Sequence, residues 1–129
     1  MAMGIALVTG ATSGIGEEFC WQLAAAHHDL VLVARREEKL RKLAEDLRQI
    51  AGVKAEVIVA DLGVAGDVER VAQRLSDEQS PVGLLVNNAG FALGRSFIDN
   101  TIEAEENALD VMVRAPMVLS YAALNAMRA

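Results

Sequence analysis

The sequence predicts an α/β protein built on a doubly wound parallel sheet of four strands, followed by one long helix. Three observations lead there. Short apolar runs without polar alternation recur at Ile5–Val8, Leu30–Val33, Val57–Val59 and Val82–Val86. Between them, apolar residues return every three or four positions, the helical period. A turn carrying three glycines joins the first run to the first helical segment. Strands apolar on both faces, alternating with amphipathic helices, are what a parallel sheet covered from both sides requires.

Each element follows in chain order. Ile5 to Val8 is closed by Thr9-Gly10, and Ile15, Phe19, Leu23 and Ala26 recur on one face of the next helix. Leu30 to Val33 leads into a charged helix whose stripe is Leu40, Leu43, Leu47 and Ile50, stopping at Gly52. Val57 to Val59 ends at Asp61, and Val64, Val68, Val71, Ala72 and Leu75 mark a third helix that stops before Pro81. Val82 to Val86 runs into Asn87-Asn88-Ala89-Gly90. After a loop from Phe91 to about Asn100, Thr101 to Arg128 lacks glycine and reads as one helix that Pro116 should bend. From Ala115 onward apolar residues lie on every face, so this half expects cover from two sides.

The 129 residues suit one domain, 1–129, with no repeat or linker. A hydrophobic fraction of 53% excludes a disordered segment, which lacks the apolar surface to offset ordering entropy. The charge of -6, from 12 Lys+Arg against 18 Asp+Glu, argues against nucleic acid, which needs a basic face. The single Cys20 excludes a disulfide framework and a cysteine zinc cage within the chain, and a cytoplasmic setting fits. The start, Met1-Ala2-Met3, carries no basic leader region. The longest nearly apolar stretch, Ala115 to Met127, is well short of the ~20 residues of a membrane helix.

Thr9-Gly10-Ala11-Thr12-Ser13-Gly14-Ile15-Gly16 carries the chemistry. Gly10 allows a sharp exit from the strand, Gly14 lets backbone approach a pyrophosphate, and Gly16 lets the helix lie close on the sheet. The helix N-terminus adds free N–H groups and a positive dipole end, and Thr12 and Ser13 add hydroxyl donors. No Lys-Ser or Lys-Thr follows Gly16, which excludes a P-loop. The second strand ends in Ala34-Arg35-Arg36. An acid there would bind a ribose 2′-hydroxyl, whereas arginine accepts a 2′-phosphate, so NADP(H) is expected over NAD(H). Two cations opening a helix also conflict with its dipole, which an anion would relieve; Glu37 and Glu38 offer a plainer relief.

With these motifs in view, the sequence resembles the short-chain dehydrogenase/reductase family, a Rossmann-type fold. Thr9 to Gly16 matches its TGxxxGxG fingerprint, Asp61 followed by Leu62 its acid after the third strand, and Asn87 to Gly90 its NNAG motif. The resemblance implies that Asp61 meets the adenine amino group, and that Asn88, Ala89 and Gly90 contact ribose and support the fourth strand. It also implies hydride transfer between a carbonyl and an alcohol, with a homo-oligomer built through Thr101 to Arg128. The family's downstream Ser and Tyr-x-x-x-Lys have no match, and Met112 stands where its assisting Asn is usual. No catalytic residue or metal ligand is therefore assigned, and the chain reads as the N-terminal half of such an enzyme, truncated after the long helix. The alternative is a non-catalytic dinucleotide-binding or interaction module complete at this length. Tyr121, followed four residues later by Asn125, reads as packing, as do Met112 and Cys20. His27 and His28 read as helix C-terminal cations, and Ser96 as a loop serine without a basic partner. The fourth strand, left without a neighbour, is expected to be an edge that promotes association.

Overall fold

The computed structural model describes residues 3–128, so the reading of Met1 and Ala2 lies outside the described residues. The strands are β1 (Ile5–Thr9), β2 (Asp29–Ala34), β3 (Ala55–Val59) and β4 (Val82–Val86), all parallel in the order β3-β2-β1-β4. The helices are α1 (Gly14–Ala25), α2 (Glu37–Asp46), α3 (Ala65–Leu75), α4 (Ile102–Leu109) and α5 (Ala115–Arg128). This is the doubly wound parallel sheet that the apolar runs predict.

Alternation along the central strands divides the core into two layers. Ala6 and Val8 of β1, with Leu30, Leu32 and Ala34 of β2, pack on the side of Cys20 and Ala24 of α1 and Leu40, Leu43 and Ala44 of α2. Leu7, Val31 and Val33 point the other way, onto Val68, Val71 and Leu75 of α3 and Ala115, Leu119 and Ala123 of α5. Both faces of β1 and β2 are thus covered, which is why those strands show no polar alternation. Pairing of β1 with β4 slips between Ile5 and Ala6, whose partners are Val82 and Leu84; Gly83 is the extra residue. Within the described chain, β4 is the edge of the sheet on its far side.

Five expectations need correction. On α1 the buried residues are Gly16, Cys20 and Ala24, whereas Ile15 and Phe19 are exposed. Small residues face the sheet because the glycine turn brings this helix close to it. On α2 the stripe holds through Leu47, but a π-turn at Leu47–Ala51 widens the last turn and rotates Ile50 out to 74% exposure. Gly52, at φ 72°, ends that turn in the left-handed region as expected. Tyr121 is exposed, and Asn125 Nδ2 donates to its backbone carbonyl. It lies on a face of α5 left uncovered within this chain: Met117 and Leu124 are exposed too, so α5 has cover on one side only. Met112 is 40% exposed and is therefore a rim residue, not a core one.

Thr101 to Arg128 does form one continuous helical run. Its break is a π-turn at Asp110–Arg114, directly before Pro116. The extra residue in that turn accommodates a ring that cannot donate an N–H and crowds the preceding turn. His27 takes φ 71° after α1, with His27 N–H bonded to Ala24 O and His28 N–H to Leu23 O. That is the Schellman termination, usually made by glycine, so the role of His27 is set by its backbone. Among the described residues no helix is long and apolar enough to cross a membrane.

Candidate dinucleotide site

The carboxyl ends of all four strands meet in one cleft. It is lined by Gly10, Thr12 and Ser13 after β1, by Ala34, Arg35 and Arg36 after β2, by Ala60, Asp61 and Leu62 after β3, and by Ala89, Gly90 and Phe91 after β4. Chain order reverses direction between β1 and β4, and open parallel sheets bind ligands at such a switch point. Arg35, Asp61 and Gly90, far apart in sequence, are therefore brought to one place.

The glycine turn is locked by packing. Gly10 has φ 63°, and a Cβ there would stand 2.9 Å from Ala89 Cα. A Cβ on Gly16 would overlap the Gly10 carbonyl oxygen and Asn88 Nδ2, which fixes how closely α1 approaches the sheet. At Gly14 a Cβ would meet nothing within 4 Å, so this position faces open space. Ser13 caps α1: its Oγ accepts from Gly16 N–H at 3.2 Å and donates to Gly10 O at 2.8 Å. The Ser13 proton is thus used internally, and Thr12 is the loop hydroxyl without a bond to the described chain. The N–H groups of Gly14 and Ile15 head α1 with no backbone partner among the described residues.

Thr9 holds this turn to the end of β4. It is 1% exposed, and its Oγ1 accepts the N–H groups of Asn88 and Ala89, each at 3.0 Å. The Asn88 side chain returns the contact, donating from Nδ2 to Gly10 O and Ser13 Oγ, each at 3.1 Å. Asn88 therefore braces the turn with its side chain, and Ala89 and Gly90 after it line the cleft. Asn87 reaches α5, donating to Ser120 Oγ at 3.1 Å. The motif reading passed over Thr9 as a site organiser; its signal was a polar residue closing a buried apolar strand.

Asp61 forms an Asx-turn, its Oδ1 accepting from Gly63 N–H at 2.9 Å, while its own N–H donates to Asp67 Oδ2 at 2.8 Å. That N–H, and then the Arg70 guanidinium, hold the Asp67 carboxyl below the usual carboxylate range. Leu62 beside it is buried. Val111, from the π-turn between α4 and α5, and Phe91 complete the wall, and neither carried a motif signal.

Arg35 and Arg36 are exposed, and neither has a carboxylate at ion-pair distance among the described residues. The plainer relief through Glu37 is not used, because Glu37 pairs with Arg41 at 2.8 Å. Arg36 is also the N-cap of α2 and makes no side-chain cap. Cys20, fully buried under α1, has its thiol pushed up to about 12, first by burial and then by Glu17. Among the described residues no cluster of His, Cys, Asp or Glu could hold a metal ion.

Fold and site together define a Rossmann-type α/β domain. The chain belongs to the short chain dehydrogenase family, which matches residues 4–129 and whose members are oxidoreductases that bind NAD(P). It is 40% identical over 94 residues to an 11-beta-hydroxysteroid dehydrogenase of Pinus massoniana, covering 73% of this chain and 26% of that protein. Among solved structures, it is similar to the bulky-bulky ketone specific alcohol dehydrogenase from Comamonas testosteroni, with 34% identity and a TM-score of 0.92, covering 97% of this chain and 50% of that one. A short-chain dehydrogenase from Sphingobium yanoikuyae in complex with NADPH gives 38% identity and a TM-score of 0.90, covering 94% and 47%. The chain thus spans about half or less of the length of these relatives.

Proposed function

We propose that this chain is the NADP(H)-binding portion of an oxidoreductase that transfers a hydride between a carbonyl and its alcohol, with residues 1–129 as one NAD(P)-binding domain. The observation that carries the reading is the meeting, at one cleft, of the glycine turn at Gly10, Thr12 and Ser13 with Arg35 and Arg36, neither of which has a carboxylate at ion-pair distance among the described residues. In this reading the pyrophosphate rests on the N–H groups of Gly14 and Ile15 and on the dipole of α1, with the Thr12 hydroxyl beside it. Gly10, Ser13 and Gly16 keep that turn in shape. Asp61 receives the adenine amino group, Leu62 gives it apolar contact, and the backbone of Asn88, Ala89 and Gly90 follows the ribose. Arg35 and Arg36 take the 2′-phosphate, whose charge also satisfies the start of α2. When bound, the nicotinamide supplies the hydride. The NADPH-bound Sphingobium yanoikuyae neighbour supports this cofactor. A small carbonyl or alcohol is the proposed substrate of the whole protein. The exposed row Leu109, Val113, Met117, Tyr121 and Leu124 along α4 and α5 supports a homo-oligomer. A cytoplasmic setting, where Cys20 stays a free thiol, goes with this reading.

Fluorescence titration with NADPH and NADH, on the natural sequence and on Arg35→Asp, tests the proposal. NADPH is expected to bind more tightly, and R35D to weaken it about tenfold, the low end for a lost charge-assisted bond at an exposed site. Tighter NADH binding, or NADPH affinity unchanged by R35D, overturns the NADP assignment.

A further inference from the structure

One sulfur atom stands where chemistry on it would be felt by the cleft. Met112 lies in the π-turn Asp110–Arg114, which directs Val111 into the core at 8% exposure and leaves Met112 over Gly90. A Cβ built on Gly90 would stand 3.5 Å from both Cγ and Sδ of Met112. Gly90 has no Cβ, so the thioether sits about one methyl group's width above a residue that lines the cleft. At 40% exposure, the Met112 side chain is open to a small oxidant. The other sulfur atoms of the described residues are placed otherwise. Cys20 is fully buried with its thiol pushed up to about 12. Met117 and Met127 are exposed on α5, and Met3 precedes β1 at the end of the strand away from the glycine turn.

We propose that Met112 is a peroxide-sensitive modification site that regulates the cleft, a role that rests on the dinucleotide reading above. The sulfur lone pair attacks one oxygen of hydrogen peroxide and the O–O bond breaks. The sulfide is oxidised to the sulfoxide as the peroxide is reduced to water. The added oxygen enters the gap over Gly90, and an apolar contact behind the cleft wall becomes a polar one. Affinity for the dinucleotide falls, and methionine sulfoxide reductase restores it.

The test compares the NADPH dissociation constant of each protein before and after hydrogen peroxide, with peptide mass spectrometry reporting every methionine. The natural sequence should weaken about tenfold as Met112 converts, from the added oxygen crowding Gly90 at the cleft wall. Met112→Leu should keep its own constant through the treatment, although Met117 and Met127 convert as before. Met112→Gln, which places a fixed polar group over Gly90, should be weakened from the outset. Equal loss in the natural sequence and in M112L overturns the inference, as does complete conversion of Met112 with binding intact. A protein that binds no dinucleotide before peroxide overturns the underlying reading as well; one that binds equally before and after overturns this inference alone.

Discussion

Replacing Thr9 with valine tests how the glycine turn is held to the sheet. Valine matches threonine in shape and suits a strand, so the change removes a single oxygen. That oxygen, on a residue 1% exposed, accepts the N–H groups of Asn88 and Ala89 at 3.0 Å each. T9V leaves both donors without it. An unsatisfied buried donor costs about 1–3 kcal/mol, and the lower half of that range suits these two half-buried residues, giving about 2–3 kcal/mol together. For a domain of this size that corresponds to a Tm lower by about 10 °C. Thr9→Ser keeps the oxygen and loses one methyl group, at about 1 kcal/mol. Urea and thermal unfolding of the three proteins, with hydrogen exchange at Asn88 and Ala89, measure the difference. A T9V protein as stable as T9S, or unchanged exchange at those two amides, refutes the reasoning.

Gly16→Ala should lower stability by about 1–3 kcal/mol, because its Cβ meets the Gly10 carbonyl and the Asn88 side chain and overpacked contacts cost that much. Gly14→Ala has open space and should melt near the natural sequence while losing NADPH affinity; equal melting of the two variants counts against the packing described for α1. Cys20 should resist iodoacetamide at pH 8 in the folded chain and react once urea unfolds it, because its thiol is raised from 9.0 to about 12. The unfolded thiol ionises first, so the stability that this group contributes is complete below pH 9 and declines between pH 9 and 12. Urea midpoints across that range should fall less steeply in Cys20→Ala.

The strands and the cleft were legible because their signals are local. Val82–Val86 needed only an unbroken apolar run, and Arg35, Asp61 and Gly90 each follow a strand whose end was plain in the sequence. The inward face of α1 was not legible. Periodicity favoured large residues such as Ile15 and Phe19, whereas tight approach to the sheet selects Gly16, Cys20 and Ala24. Both π-turns escaped for another reason: a single extra residue shifts the helical phase without leaving a mark in composition, and it moved Ile50 into solvent and Met112 to the cleft's rim. Tyr121 resembled packing because its neighbours are apolar, but only α3 and the sheet lie against α5 within the described chain. Thr9 and Asn88 show a further limit, since their hydrogen bonds join positions 78 to 80 residues apart.

That separation governs when binding competence arises as the polypeptide leaves the ribosome. The loop bearing Gly10 and Ser13 emerges early, yet the amide group that clasps it belongs to Asn88 and appears only after two further crossovers have been synthesised. Closing so long a loop is slow and gains nothing until its last member docks. A nascent chain ending before β4 therefore carries the glycine turn without its brace, and under the proposed function coenzyme capture becomes a late event in biosynthesis.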